Sequence, residues 1–122
     1  MRFARYWFAG AGIYGLLVLT PQLFLEAQVG RDFPPPITHP EYFYGFTGVA
    51  LACQVLFLVI ARDPIRMRPA MLPASLEKFA FAAAAIALWF AGRLATSVLA
   101  FGLIDLVLGL GFVFAWLRTP EQ

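Results

Sequence analysis

The sequence predicts an all-α integral membrane protein that folds as a four-helix antiparallel bundle. Hydrophobic residues make up 61% of the chain and charged residues 13%, about half of the ~25% charged share of soluble domains. The mean hydropathy is +0.78. Four apolar runs lie at 6–25, 42–61, 75–91 and 94–117, each close to the length that crosses a bilayer as a helix. We therefore expect the 122 residues to form a single transmembrane domain with four spans.

Individual residues mark where the first two predicted helices begin and end. The first run follows Arg2 and Arg5, and Pro21 is expected to kink or end it because proline leaves a backbone carbonyl without its donor. Pro34, Pro35 and Pro36 favour an extended segment, so we interpret residues 26–40 as a loop. Aromatic residues at the start of the second run are typical of a headgroup boundary.

The third and fourth helices carry their own end signals. Ser75 suits the N-cap of the third helix, and Gly92 suits the position after its last turn. Lys78 is expected to extend its ammonium group to the lipid headgroups. Its neighbour Glu77 points about 100° away around a helix, so we do not expect the two to pair.

Basic residues are distributed unevenly between the two sides of the predicted bundle. Cytoplasmic segments of membrane proteins carry the excess of Lys and Arg. One side holds Arg2, Arg5, Arg62, Arg66, Arg68, Lys78 and Arg118, and the other holds Arg31 and Arg93. We therefore expect both termini and the 62–74 loop in the cytoplasm, and the chain in a bacterial inner membrane. The loop arginines either only set this topology or also bind anionic lipid headgroups.

Asp105 stands at the middle of the last apolar run, where a carboxylate costs about 2.5–3.5 kcal/mol on insertion scales. Gln54 and Tyr14 fall at similar depth in their own helices, so we expect these three side chains to form one polar cluster. A stripe of small residues at Ala95, Gly102 and Gly109 places Asp105 on a face that packs against another helix. The cluster either joins helices by hydrogen bonds or forms a proton or ligand site.

A second polar set is predicted at the outer mouth of the bundle, formed by Gln22, Glu26, Asp32, His39, Glu41 and Arg93. It is either a solvated loop in which Glu41 or Glu26 pairs with Arg93, or a polar entry lined by Gln22 and Glu26. The single histidine, with no usable cysteine beside it, argues against a metal site.

Motifs for catalysis and cofactor binding are absent from the sequence. There is no phosphate-binding glycine loop, nucleophile elbow, CxxC pair or haem-type histidine pair, so we expect no catalytic residue and no cofactor. The GxGxxG pattern at Gly10–Gly15 follows no strand and is interpreted as helix packing. Cys53 is the only cysteine, which excludes an intramolecular disulfide. The basic residues follow the topology, so no nucleic-acid partner is expected.

Three short motifs resemble known families of small four-helix membrane proteins. They are Thr20-Pro21 with Glu26, Cys53-Gln54, and the closing Leu117-Arg118-Thr119-Pro120. The overall pattern resembles DoxX-like bacterial proteins, and the motifs resemble the EXPERA group of sterol isomerases and sigma-2-type receptors. The second resemblance implies a pocket for a sterol-like ligand, lined by Glu26 and Gln54. The chain departs from the isomerases because we expect its spans to hold neither a histidine nor a second acid for a proton shuttle.

Three functions remain open on the sequence. The first is a non-catalytic accessory or assembly subunit, or a self-associating bundle, whose glycine stripes contact another membrane protein or a second copy. The alternative is a pocket protein that binds or transports a small hydrophobic molecule at Asp105, Gln54, Tyr14 and Glu26. The third is an enzyme with Asp105 or Glu26 as proton donor, for which no partner base is evident. A packed core around Asp105 favours the first function, and a cavity of about 300 Å³ or more favours the second.

Overall fold

The computed structural model describes residues 2–121 and contains only helices and their connections. The long helices are α1 (Arg2–Leu19), α3 (Pro40–Arg62), α4 (Met71–Phe90) and α5 (Thr96–Arg118), and the short α2 covers Glu26–Asp32. Single 3₁₀ turns at Thr20–Phe24 and Arg68–Ala70 extend α1 and precede α4. Four segments are long and apolar enough to cross a membrane: Arg2–Phe24, Pro40–Arg62, Arg68–Phe90 and Thr96–Arg118. The predicted all-helical fold with four long apolar helices is confirmed.

Two of the predicted boundaries are wrong. The third long helix begins at Met71, and Ser75 lies inside it, where its hydroxyl donates to the Met71 carbonyl at 2.8 Å. Pro73 does not stop this helix because the first turn has free amide positions that need no partner. Residues 26–32, predicted as loop, form α2, with Glu26 in the first turn and Arg31 in the last, the charge order that the helix dipole favours.

Other end signals act as expected. The α-helical part of the first span ends at Leu19 and continues through Pro21 as a 3₁₀ turn. At the end of α4, Gly92 has a φ of +73°, a left-handed conformation that glycine adopts without steric cost. Its amide donates to the Trp89 carbonyl at 3.0 Å and so closes the helix.

The long helices form two closely packed pairs, α1 with α3 and α4 with α5, because glycines let the backbones approach. A Cβ added at Gly12 would lie 2.9 Å from the Gln54 carbonyl oxygen of α3. A Cβ at Gly102 of α5 would lie 2.6 Å from the Ala85 methyl of α4. The pairs meet through the fully buried rings of Phe8, Phe57 and Phe112, which come from α1, α3 and α5.

This aromatic core ties α1 to α5 near the end of the bundle that holds both termini. The rings of Phe8 and Phe112 stack with centroids 4.1 Å apart, and Phe57 meets Phe112 edge-on at 4.8 Å. One turn away, the Trp7 indole donates to the Leu108 carbonyl at 3.0 Å and lies against Gly111. Contacts between α3 and α4 are few by comparison, which leaves room between the two pairs.

Arg68 links the segment between α3 and α4 to the end of α5. Its Nε donates to the carbonyls of Trp116 and Thr119 at 3.1 and 2.8 Å. The guanidinium lies 4.5 Å from the centre of the Trp116 ring and 3.6 Å from the Glu121 carboxylate. These bonds satisfy carbonyls that the last turn of a helix leaves free.

Arg68→Ala is expected to lower the free energy of unfolding by roughly 2–3 kcal/mol, since hydrogen bonds to charged groups contribute about 1.5–3 kcal/mol. The measurement is unfolding in mixed detergent micelles, followed by circular dichroism. Arg66→Ala is the matched control, because the Arg66 side chain is exposed in the same loop. Equal effects of the two substitutions would contradict the assignment.

Gly111→Ala is expected to destabilise the bundle by about 1–3 kcal/mol, the usual cost of overpacking, because the new methyl would overlap the Trp7 ring. Gly10→Ala is the control, since a Cβ there meets no atom within 4 Å and alanine favours the helix. Thermal unfolding of both variants tests the α1–α5 contact, which a neutral Gly111→Ala would disprove.

Candidate functional site

A cavity of about 530 Å³ lies between the two helix pairs. Its walls are mainly apolar and aromatic, with Tyr14 and Val18 from α1, Phe43 and Phe46 from α3, Phe81 from α4 and Val98 and Phe101 from α5. Residues of α2, including Val29 and Asp32, line one end. At the other end the lining contains four polar side chains, Gln54, Glu77, Lys78 and Asp105.

Lys78 is the centre of a charged cluster at that polar end. Its side chain is buried, and the residue is only 3% exposed. The Nζ atom lies 3.5 Å from Oδ1 of Asp105 and 3.7 Å from Oε2 of Glu77. The ammonium also lies 5.2 Å from the centre of the Phe57 ring, within the range of a cation–π contact.

Small residues on both helices make room for this cluster. Asp105 lies three residues after Gly102 and four before Gly109, on one face of α5. A Cβ added at Gly109 would lie 3.1 Å from the Lys78 Cβ. Lys78 is therefore level with Gly109, and its stem reaches about one helical turn to Asp105. The predicted stripe ends at Gly102, since Ala95 precedes α5 and is exposed.

Three expectations about charged residues are corrected by these contacts. Lys78 does not extend to the headgroups, because Asp105 provides a buried partner for its ammonium. Glu77 does pair with Lys78, because the long lysine stem turns back toward it. Glu77 also supplies a second acid inside a candidate span, which the comparison with the isomerases took to be missing.

Gln54 presents an unpartnered oxygen inside the bundle. The residue is 1% exposed, and its Nε2 donates to the Ala50 carbonyl at 2.8 Å. Its Oε1 is buried and has no hydrogen-bond partner among residues 2–121. A Cβ at Gly15 would overlap this amide, so glycine keeps the space around the oxygen open.

The structure brings part of the predicted site together. Asp105, Gln54, Tyr14 and Gln22 all line the same cavity, although in the described part of the chain no hydrogen bond joins Asp105 to Gln54 or Tyr14. Glu26 lies at the start of α2 and is outside the cavity lining.

The outer-mouth residues do not form one patch. Nδ1 of His39 lies 3.1 Å from Oε1 of Glu41, and both side chains are about two-thirds exposed. Arg93 is exposed in the turn after α4. Neither Glu26 nor Glu41 forms an ion pair with Arg93 in residues 2–121. The same residues contain no group of three His, Cys, Asp or Glu side chains that could hold a metal ion.

Comparisons with known proteins give no information about the cavity, so its function is inferred from its lining residues. No family model, curated protein or solved structure matches this chain. The resemblance to DoxX-like and EXPERA proteins therefore stays a prediction. Sequence reasoning missed Lys78 and Glu77 as site residues. The available signal was that Lys78 is the only lysine of the chain and is followed at i+4 and i+7 by the small residues Ala82 and Ala85, which share its buried face.

Lys78→Met is expected to cost about 3–5 kcal/mol of unfolding free energy, the usual effect of breaking a buried ion pair by removing one partner. Asp105→Asn should cost clearly less, because Glu77 still neutralises Lys78. The triple variant with Glu77→Gln, Lys78→Met and Asp105→Asn should recover most of the loss. Unfolding in mixed micelles measures all three, and a Lys78→Met variant as stable as Asp105→Asn would refute the buried cluster.

Proposed function

We propose that this chain is a small integral membrane protein whose central cavity binds a small, mainly apolar molecule with one polar group. The observation that carries the proposal is the cavity itself, about 530 Å³ in volume and within the ~300–1,000 Å³ range of ligand sites. The volume is above the ~300 Å³ at which a cavity around Asp105 favours a ligand pocket over a packed core. A single water fills only about 30 Å³.

The distribution of polarity inside the cavity supports an amphipathic ligand. Aromatic rings such as Phe81 and Phe101 offer an apolar surface along the walls. The polar end offers Oε1 of Gln54, which has no hydrogen-bond partner among residues 2–121. It also offers Oε2 of Glu77, which lies 3.7 Å from the Lys78 Nζ but accepts no hydrogen bond from those residues. A polar group that donates a hydrogen bond would satisfy these buried acceptor oxygens, whose exclusion from water is otherwise costly.

The uneven distribution of Lys and Arg indicates which side of the membrane each end of the cavity faces. With both termini in the cytoplasm of a bacterial inner membrane, the polar end lies within the membrane and the α2 end lies toward the outer side. The ligand then reaches the cavity from the bilayer or from the outer surface, as expected of a lipid-like molecule.

An accessory or assembly role is the competing proposal, and the packing of the glycines weakens it. Most of the glycines that predicted contact with a partner pack inside the chain. Gly12 and Gly15 face α3, Gly102 and Gly109 face α4, and Gly10 alone of these meets no atom within 4 Å. A catalytic role has less support, because the carboxylates at the polar end, Asp105 and Glu77, are both ion-paired with Lys78.

The native mass of the protein, purified gently from its own membranes, tests the proposal. We expect an added mass of a few hundred daltons, about the size of a molecule that fills ~300–1,000 Å³. Val98→Trp should remove it, because Val98 lines the cavity and the indole would fill that space. Val107→Trp is the control, since Val107 is 56% exposed on the same helix.

Two results would contradict the proposal that the cavity binds a ligand. One is a wild-type mass with no addition, and the other is an addition that survives Val98→Trp unchanged. A second protein, or a second copy, that co-purifies without any small molecule would favour the assembly subunit instead.

A further inference from the structure

Lys78 has the surroundings of a lysine that forms covalent bonds to a ligand. It is the only lysine of the chain, and its amine lies at the end of a cavity of about 530 Å³. Two carboxylates lie within 3.7 Å of its Nζ. Buried lysines are the amines that proteins use for Schiff bases, and Lys78 is 3% exposed.

The charges of the cluster favour one kind of adduct. A single ammonium faces two carboxylates, and removal of its positive charge would leave both unpaired inside the bundle, which is costly. A protonated imine keeps the positive charge on the same nitrogen. Its formation therefore conserves the ion pairs to Asp105 and Glu77, whereas acylation of the amine would abolish them.

We propose that Lys78 binds an apolar aldehyde or ketone as a protonated Schiff base, with Asp105 and Glu77 as its counterions. This inference rests on the proposed function, because the carbonyl group is the polar head of the cavity's ligand and the protonated imine formed from it carries the N–H donor. The hydrocarbon part lies along the aromatic walls, and the carbonyl carbon meets Nζ at the polar end.

The chemistry balances within the cluster. The Lys78 ammonium gives one proton to the Asp105 carboxylate, 3.5 Å away, and the free amine attacks the carbonyl carbon. A second proton moves from nitrogen to the former carbonyl oxygen, which gives a neutral carbinolamine. Asp105 then returns its proton to the hydroxyl group, and water leaves as the C=N bond forms. Ammonium and carbonyl compound become protonated imine and water, and both carboxylates end ionised.

Reductive trapping tests the proposal on the intact protein in lipid vesicles. The probe is decanal with sodium cyanoborohydride, which converts an imine into a stable secondary amine that carries one decyl group. The variant Arg93→Lys adds a second lysine at an exposed turn, so that one peptide map compares the two amines in the same molecules. We expect Lys78 to be alkylated at least about tenfold faster than position 93, because binding in the cavity raises the local concentration of the aldehyde.

Two controls link the reaction to the cavity. Decanol has the same chain but no carbonyl group, and it should slow the alkylation of Lys78 without affecting position 93. Val98→Trp should do the same by filling the cavity. Alkylation at position 93 alone, or alkylation of Lys78 that neither control slows, would overturn the inference.

The outcomes separate this inference from the function on which it rests. A ligand that is found by native mass, together with an untrapped Lys78, overturns the Schiff base and leaves the pocket standing. The absence of a native ligand, together with a Lys78 reaction that decanol does not slow, contradicts both.

Discussion

The structure depends most on the pairing of Lys78 with Asp105 and Glu77 between α4 and α5. An ammonium group within a membrane bundle is stable only if nearby groups of opposite charge compensate for the lost water. The two carboxylates, at 3.5 and 3.7 Å, supply that compensation. Their pairing fixes the rotation of α4 against α5, since a large turn of either helix would separate the charges.

The same arrangement explains why the bundle has both a dense core and a cavity. Glycines and alanines allow α4 to pack closely against α5 and α1 against α3. The rings of Phe8, Phe57 and Phe112 join the two pairs on one side of the charged cluster. On the other side, α3 and α4 diverge and α2 closes part of the gap. The charged cluster is therefore the boundary between packed apolar side chains and open space.

The sequence predicts the four spans well, because a helix that faces lipid must be apolar along its whole length. It predicts helix ends less well: Pro73 is tolerated in a first turn, and the seven residues of α2 are too few to show a period. Asp105 can be recognised from the sequence, because a carboxylate in the middle of an apolar span is costly to insert. Its partner cannot, because a lysine near a helix end is expected to reach the headgroups. The packing of α4 against α5 places Lys78 beside Asp105 instead, and no local sequence pattern shows this.

The central claim is that the Lys78 ammonium is held inside the bundle. As the only lysine, it gives a single side-chain signal when lysine is labelled with ¹⁵N in lipid bicelles. We expect slow exchange of the Nζ protons with water and no relaxation enhancement from a water-soluble gadolinium chelate. Rapid exchange and strong enhancement, as for an ammonium among the headgroups, would contradict the buried cluster and, with it, the proposed site.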